Sequence, residues 1–178
     1  MANTPIKLND GTTIPLLAFG TGTAHFKKDA QDSVTKAIIA GFTHLDGAQL
    51  YNNEEYLGAG IAAAATTTGG KPREQLFITT KLAKPADGKT VRDTLVESLK
   101  KLQLDYVNLF LIHTPTQFPG GLKAVWKEME AVKKEGLTRS IGVSNFRTAQ
   151  LREILDGAEF PPSINQVNLS SATTLALR

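Results

Sequence analysis

The chain has 178 residues, 41% of them hydrophobic and 21% charged, with a formal net charge of +3 and no cysteine. That length suits one domain with a real core but not comfortably two. The missing thiols exclude disulfides, thiolate catalysis and cysteine-ligated zinc. The basic residues are spread along the chain, which argues against a nucleic-acid partner.

The start, Met1-Ala2-Asn3-Thr4-Pro5, has no basic segment leading into an apolar one, so no secretory signal is expected. Ile6–Leu8 and Thr12–Pro15, joined by Asn9-Asp10-Gly11, read as a small hairpin, because Asp-Gly suits a tight turn. A first barrel strand is expected at Leu16–Phe19, ending in Gly20-Thr21-Gly22-Thr23. A helix near Asp29–Ala40 carries Val34, Ala37 and Ile38 on one face, and Gly41 sits where it would stop. Thr43–Leu45 forms a second strand running into Asp46, and a second helix covers roughly Asn53–Ala64. The alanine- and threonine-rich stretch Ala62–Gly70 reads as a frayed helix end and surface loop.

Leu76–Thr80 is a third strand running into Lys81, followed by a helix near Thr90–Leu102 with Val91, Leu95, Leu99 and Leu102 on one stripe. A fourth strand, Tyr106–Ile112, runs into His113, and its Val107–Ile112 stretch is far too short to span a bilayer. The helix around Leu122–Glu135 places Leu122, Trp126 and Met129 on one face, so Trp126 is expected in the core. A fifth strand, Arg139–Val143, runs into Ser144-Asn145. A helix near Thr148–Asp156 and a sixth strand at Ile164–Val167 follow.

Short apolar runs separated by helical stretches indicate parallel strands with crossover helices. In a barrel of this type the carboxyl ends of the strands share one face, where catalytic groups collect. The expected fold is therefore α/β, an incomplete (β/α)8 TIM-type barrel of about six βα units behind an N-terminal hairpin. A closed eight-stranded barrel takes at least about 200 residues. On that rim a carboxylate, a phenol, an ammonium and an imidazole make a proton-transfer site.

The segment from Gly41 to Glu54, with Asp46-Gly47-Ala48-Gln49-Leu50-Tyr51-Asn52-Asn53-Glu54 at its end, resembles the first signature of the aldo-keto reductases. Phe77–Lys81 (FITTK), Asp105–Pro115 (DYVNLFLIHTP) and Arg139–Phe146 (RSIGVSNF) resemble further family stretches, in the family's order and spacing. The resemblance covers roughly Ile6 to Val167. It implies a barrel that reduces small aldehydes or ketones with NADPH, NADH being the alternative. It puts the catalytic tetrad on Asp46, Tyr51, Lys81 and His113. It puts nicotinamide contacts on Thr23, Asp46, Ser144, Asn145 and Gln166.

Carbonyl reduction needs a proton on oxygen as negative charge develops there. A free tyrosine, with a pKa near about 10, is a reluctant acid, and a nearby ammonium favours its phenolate. A carboxylate would hold that ammonium, and an imidazole would donate to the carbonyl oxygen. Each residue also has a structural reading: an ion pair for Asp46 and Lys81, a half-buried aromatic for Tyr51, and a hydrogen-bonded strand end for His113. Capping suits Ser144 and Asn145, and turn formation suits Thr23. His44 is expected to pack in its strand and His25 to lie in an exposed loop.

After Gln166-Val167 the resemblance fades, and residues 168–178 read as a divergent tail of a single domain spanning residues 1–178. Gly47 and Asn52 stand where the family often has Thr and Gly. The two further βα units of the family, with their phosphate-binding groups, do not align. Two outcomes stay open: a cytoplasmic carbonyl reductase, or an inactive barrel fragment or regulatory module of the same family. A barrel wall with unpaired edge strands is further expected to self-associate.

Overall fold

A computed structural model describes residues 5–168. The hairpin forms from β1 (Pro5–Lys7) and β2 (Thr13–Pro15), paired antiparallel with Ile6 opposite Ile14. Six parallel strands then follow in sequential spatial order: β3 (Ala18–Gly20), β4 (His44–Asp46), β5 (Phe77–Leu82), β6 (Val107–Ile112), β7 (Thr138–Ser144) and β8 (Asn165–Gln166). The connecting helices are α1 (Gln31–Ile39), α2 (Glu54–Ala65), α3 (Val91–Leu102), α4 (Leu122–Lys134) and α5 (Thr148–Leu155). Sequential parallel order is the wall of a (β/α)8 barrel, here with about six units, as the sequence implied.

Alternation along the strands sorts the two faces. Leu45, Ile78, Leu82, Phe110, Ile112, Ile141 and Val143 point outward into one apolar core shared with the helices. That core holds Val34 and Ile38 of α1, Leu57 of α2, Leu95 and Leu99 of α3, and Trp126 and Met129 of α4. Trp126 is buried as expected, with its indole N–H donated to the Phe160 carbonyl at 3.0 Å. A separate inner cluster joins Leu8 and Ile14 of the hairpin segment to Phe77, Leu109 and Leu111. The hairpin thus plugs the inner face at the starts of the strands. Ser140 donates to Thr12 (2.9 Å) and Asn9 donates to the Pro162 carbonyl (2.9 Å) at the same end.

Several strand boundaries differ from the sequence reading, and hydrogen-bond pairing explains each. The first barrel strand is Ala18–Gly20 rather than Leu16–Phe19, because only these residues pair with His44–Asp46, and Leu16 and Leu17 are exposed. The third strand runs through Lys81 to Leu82, since pairing with β6 continues to Leu82 opposite Ile112. The fifth strand likewise extends to include Thr138 and Ser144. The sixth shrinks to Asn165–Gln166, the two residues that pair with Val143 and Ser144. Residues 169–178, most of the expected tail, lie outside the described residues. No helix among the described residues is long and apolar enough to cross a membrane.

The helices sit close because glycine allows it. A Cβ on Gly58 of α2 would lie 2.5 Å from the Leu102 carbonyl oxygen at the end of α3. Helix α3 starts on a reciprocal cap: Asp93 N–H donates to Thr90 Oγ1 (3.1 Å) and Thr90 N–H to Asp93 Oδ2 (3.0 Å). Because the clash at Gly58 is with backbone, Gly58→Ala must push α2 and α3 apart. A loss of about 1–3 kcal/mol is expected from such overpacking, read as a lower Tm in thermal denaturation. An unchanged Tm would show that this helix pair yields freely.

Candidate active site

The carboxyl ends of β4 to β8 converge on one rim. Asp46 is the last residue of β4, Ser144 of β7 and Gln166 of β8, while His113 follows β6 directly. Lys81 lies one residue before the end of β5 and points to the inner face. Its ammonium donates to Asp46 Oδ1 at 2.5 Å and to the Gly47 carbonyl at 3.0 Å, and lies 3.4 Å from the Tyr51 hydroxyl. The Lys81 side chain is 2% exposed and that of Asp46 10%, so the pair is held away from water.

Tyr51 comes from a 3₁₀ turn, Gln49–Tyr51, that follows β4 and ends on Asn52 in the left-handed region (φ 50°). Asparagine tolerates that conformation better than most residues, so it serves where glycine is otherwise favoured. The Tyr51 and His113 rings meet edge-on with centroids 5.4 Å apart. The four residues singled out in the sequence as a tetrad therefore form one cluster.

Burial and the Lys81 charge together depress the His113 imidazole from 6.5 to about 4, with Asp46 opposing them. Its Nδ1 is buried and makes no hydrogen bond to the protein. The ring is thus neutral at pH 7. Between 6.5 and about 4 the unfolded chain takes up a proton that the folded chain refuses. This contribution to stability is whole above pH 6.5 and drains away as pH falls toward 4.

Beside the tetrad, Gln166 Nε2 donates to Asp46 Oδ2 at 3.2 Å, and Ser144 Oγ donates to the Gln166 carbonyl at 2.7 Å. Asn145, also left-handed (φ 61°), donates to the His113 carbonyl (3.2 Å) and to Ser144 Oγ (3.1 Å). Ser144, Asn145 and Gln166 thus stand together at the tetrad's edge. Thr23 does not join them: it is exposed in the loop after β3, where its carbonyl accepts from Phe26 N–H at 3.1 Å.

Of the remaining histidines, His44 packs in its strand as expected, buried and bonded to Thr79 Oγ1 at 2.9 Å. His25 is half-buried rather than exposed, because its ring approaches Phe19 and its carbonyl accepts from Asn53 Nδ2 at 2.7 Å. Asn53 also donates to the Thr21 carbonyl, at 3.0 Å, and so ties the Gly20–Lys28 loop to the start of α2. Sequence reasoning passed over three such polar anchors: Asn53, Gln49 and Glu54. Glu54 is 2% exposed and accepts from Thr80 (2.6 Å) and Ser98 (3.0 Å), with burial pushing its carboxyl up. All three lie within the first signature stretch, and an acidic side chain on the apolar side of α2 was the available signal.

A sequence model of the Aldo/keto reductase family matches residues 16–176. The chain belongs to this family. It is 41% identical over 170 residues to the methylglyoxal reductase DkgA of Escherichia coli, covering 95% of this chain and 59% of that protein. The crystal structure of the aldo-keto reductase AKR2E4 of Bombyx mori in complex with NADP superposes with a TM-score of 0.82 at 40% identity, over 95% of this chain and 59% of that one. An aldo/keto reductase from Brucella melitensis gives a TM-score of 0.84 at 36% identity, over 94% and 64% of the two chains. This aldo-keto reductase chain spans 59% of the length of the first curated relatives it matches.

The His113 environment can be tested by titration. In Lys81→Met the imidazole loses a repelling charge while Asp46 remains, so its midpoint is expected to rise from about 4 toward 6.5. Imidazole proton shifts in NMR would follow it. A midpoint that stays near 4 would show burial acting alone.

Proposed function

We propose that this protein reduces a small aldehyde or ketone to the alcohol, with NADPH as cofactor and NADH as the alternative. The observation that carries the proposal is the Lys81 ammonium, bonded to Asp46 and 3.4 Å from the Tyr51 hydroxyl. A bound nicotinamide dinucleotide supplies the hydride in such a reaction. Ser144, Asn145 and Gln166 suit its carboxamide, because a hydroxyl and two amides offer both donors and acceptors at one edge of the site. Thr23 and Asp46 would lie toward the adjoining ribose. The methylglyoxal reductase named among the relatives supports a small carbonyl as substrate.

Each side chain has a distinct task in this scheme. Tyr51 gives its hydroxyl proton to the substrate oxygen as charge builds there. Lys81 faces the resulting phenolate with a fixed positive charge, and Asp46 keeps that charge anchored. His113, neutral at pH 7, is a poor proton source at this pH but a good hydrogen-bond donor. It would orient the carbonyl and stabilise the developing alkoxide. Acid and electrophile are thereby separate residues.

Two further parts of the proposal rest on the sequence: a cytoplasmic address and a single domain spanning the chain. The sheet order supports a third, self-association. Among the described residues β3 and β8 each pair on one side only, which leaves backbone groups free to pair with another chain. Light scattering on the isolated chain is expected to report a species larger than a monomer, and a monodisperse monomer would refute that part.

Tyr51→Phe tests the reaction itself. It keeps the ring and removes the proton, so turnover of an aromatic aldehyde should fall by about a hundredfold or more. NADPH binding, followed by fluorescence, should remain nearly unchanged. Retention of most wild-type turnover would overturn the assignment of Tyr51 as the acid.

A further inference from the structure

The 3₁₀ turn that carries Tyr51 has no fully buried residue of its own, and its ring contacts, Tyr51 with His113 and Phe26, act at the end of the turn and not at its start. Leu50 in its middle is 40% exposed. Hydrogen bonds hold the start of the turn, and the side chain of its first residue makes three. Gln49 Oε1 accepts from the Ala83 N–H at 2.7 Å, two residues beyond Lys81. Gln49 Nε2 donates to the Thr94 carbonyl at 3.2 Å and to Ser98 Oγ at 3.1 Å, both on α3. The buried Ser98 in turn donates to Glu54, which also accepts from Thr80, the neighbour of Lys81. One amide therefore joins the turn of the phenol to the strand of the ammonium.

We propose that Gln49 is a positioning residue, holding the Tyr51 hydroxyl against the Lys81 ammonium by tying the Gln49–Tyr51 turn to the end of β5 and to α3. The inference rests on the reading of Tyr51 as the proton donor. At 3.4 Å the contact between hydroxyl and ammonium is already long, so a displacement well under 1 Å breaks it. Further ties to β5 lie two residues before the turn, where Gly47 N–H donates to the Thr79 carbonyl at 2.9 Å and Lys81 donates to the Gly47 carbonyl at 3.0 Å. Lys27 N–H donates to the Tyr51 carbonyl at 2.9 Å, and Asn53 grips Thr21 and His25. Both tie the turn to the Gly20–Lys28 loop and not to β5.

Gln49→Met keeps the length of the side chain and removes all three hydrogen bonds. With an aromatic aldehyde and NADPH, the variant is expected to lose about tenfold or more in kcat, as misplacement of a reacting group does. Its KM for NADPH should stay within about twofold, and its Tm near that of the wild type. Amide hydrogen exchange should accelerate at Ala83, Tyr51 and Asn52 while the strand amides of β6 keep their protection. An unchanged kcat, with or without faster exchange, overturns the proposal. So does a fall in kcat accompanied by equal losses in NADPH affinity and Tm, which marks a merely structural role. If the wild type reduces no carbonyl, that failure belongs to the reductase reading. Exchange then decides the tie by itself: acceleration at Ala83, Tyr51 and Asn52 supports it, and unchanged protection overturns it.

Discussion

One buried ammonium organises the rim of this barrel wall. Placing Lys81 at 2% exposure carries a desolvation cost of several kcal/mol, and only close, well-aimed partners offset it. Asp46 Oδ1 and the Gly47 carbonyl are those partners, and both belong to the strand end beside β5. They reach Lys81 because β4 and β5 run parallel in a register that sets Asp46 opposite Thr79. Removing one partner of such a pair costs about 3–5 kcal/mol, so the fold and the site depend on the same contact.

Polar contacts spread from that pair around the rim. Gln166 reaches the second oxygen of Asp46, Ser144 holds the Gln166 carbonyl, and Asn145 holds the His113 carbonyl. The ends of β4, β6, β7 and β8 are thereby linked through side chains as well as through the sheet. The opposite end of the wall is apolar, plugged by Leu8 and Ile14 against Phe77, Leu109 and Leu111. On the inner face the buried ion pair is confined to one end and the apolar plug to the other. The same confinement leaves the His113 imidazole short of protons, since it shares a poorly solvated site with a cation.

A second polar layer lies outside the sheet, between β5, α2 and α3. Glu54 accepts from Thr80 and Ser98, and Ser98 accepts from Gln49. Burial pushes the Glu54 carboxyl up, so its folded form holds a proton more tightly than the unfolded chain does. Its contribution to stability is complete below 4.5 and declines as pH rises through the raised value, opposite in sign to that of His113. This layer reaches the turn of Tyr51 through Gln49, which donates to Thr94 and Ser98 of α3.

Periodicity and turn residues alone determined the order of elements, the hairpin and the parallel sheet, because apolar runs of strand length and helical stripes are local properties. The polar endings of apolar runs also put Asp46, Lys81, His113 and Ser144 at or beside strand ends, and parallel strands carry their ends to a common rim. The strand limits were less legible. Lys81 is polar and looked like an ending, yet it lies inside β5 because backbone pairing with β6 continues to Leu82. The Asp46–Lys81 pair was expected from the sequence, but only the tertiary structure decided the partners of Gln49, Glu54 and Gln166. The reach of Gln49 to Ala83 spans 34 residues, that of Glu54 to Ser98 spans 44, and that of Gln166 to Asp46 spans 120. Contacts at such separations leave no local pattern, since they arise from strand register and helix packing rather than from neighbouring residues. The same holds for the His113 imidazole, whose neutrality comes from burial beside Lys81 and not from its place in the chain.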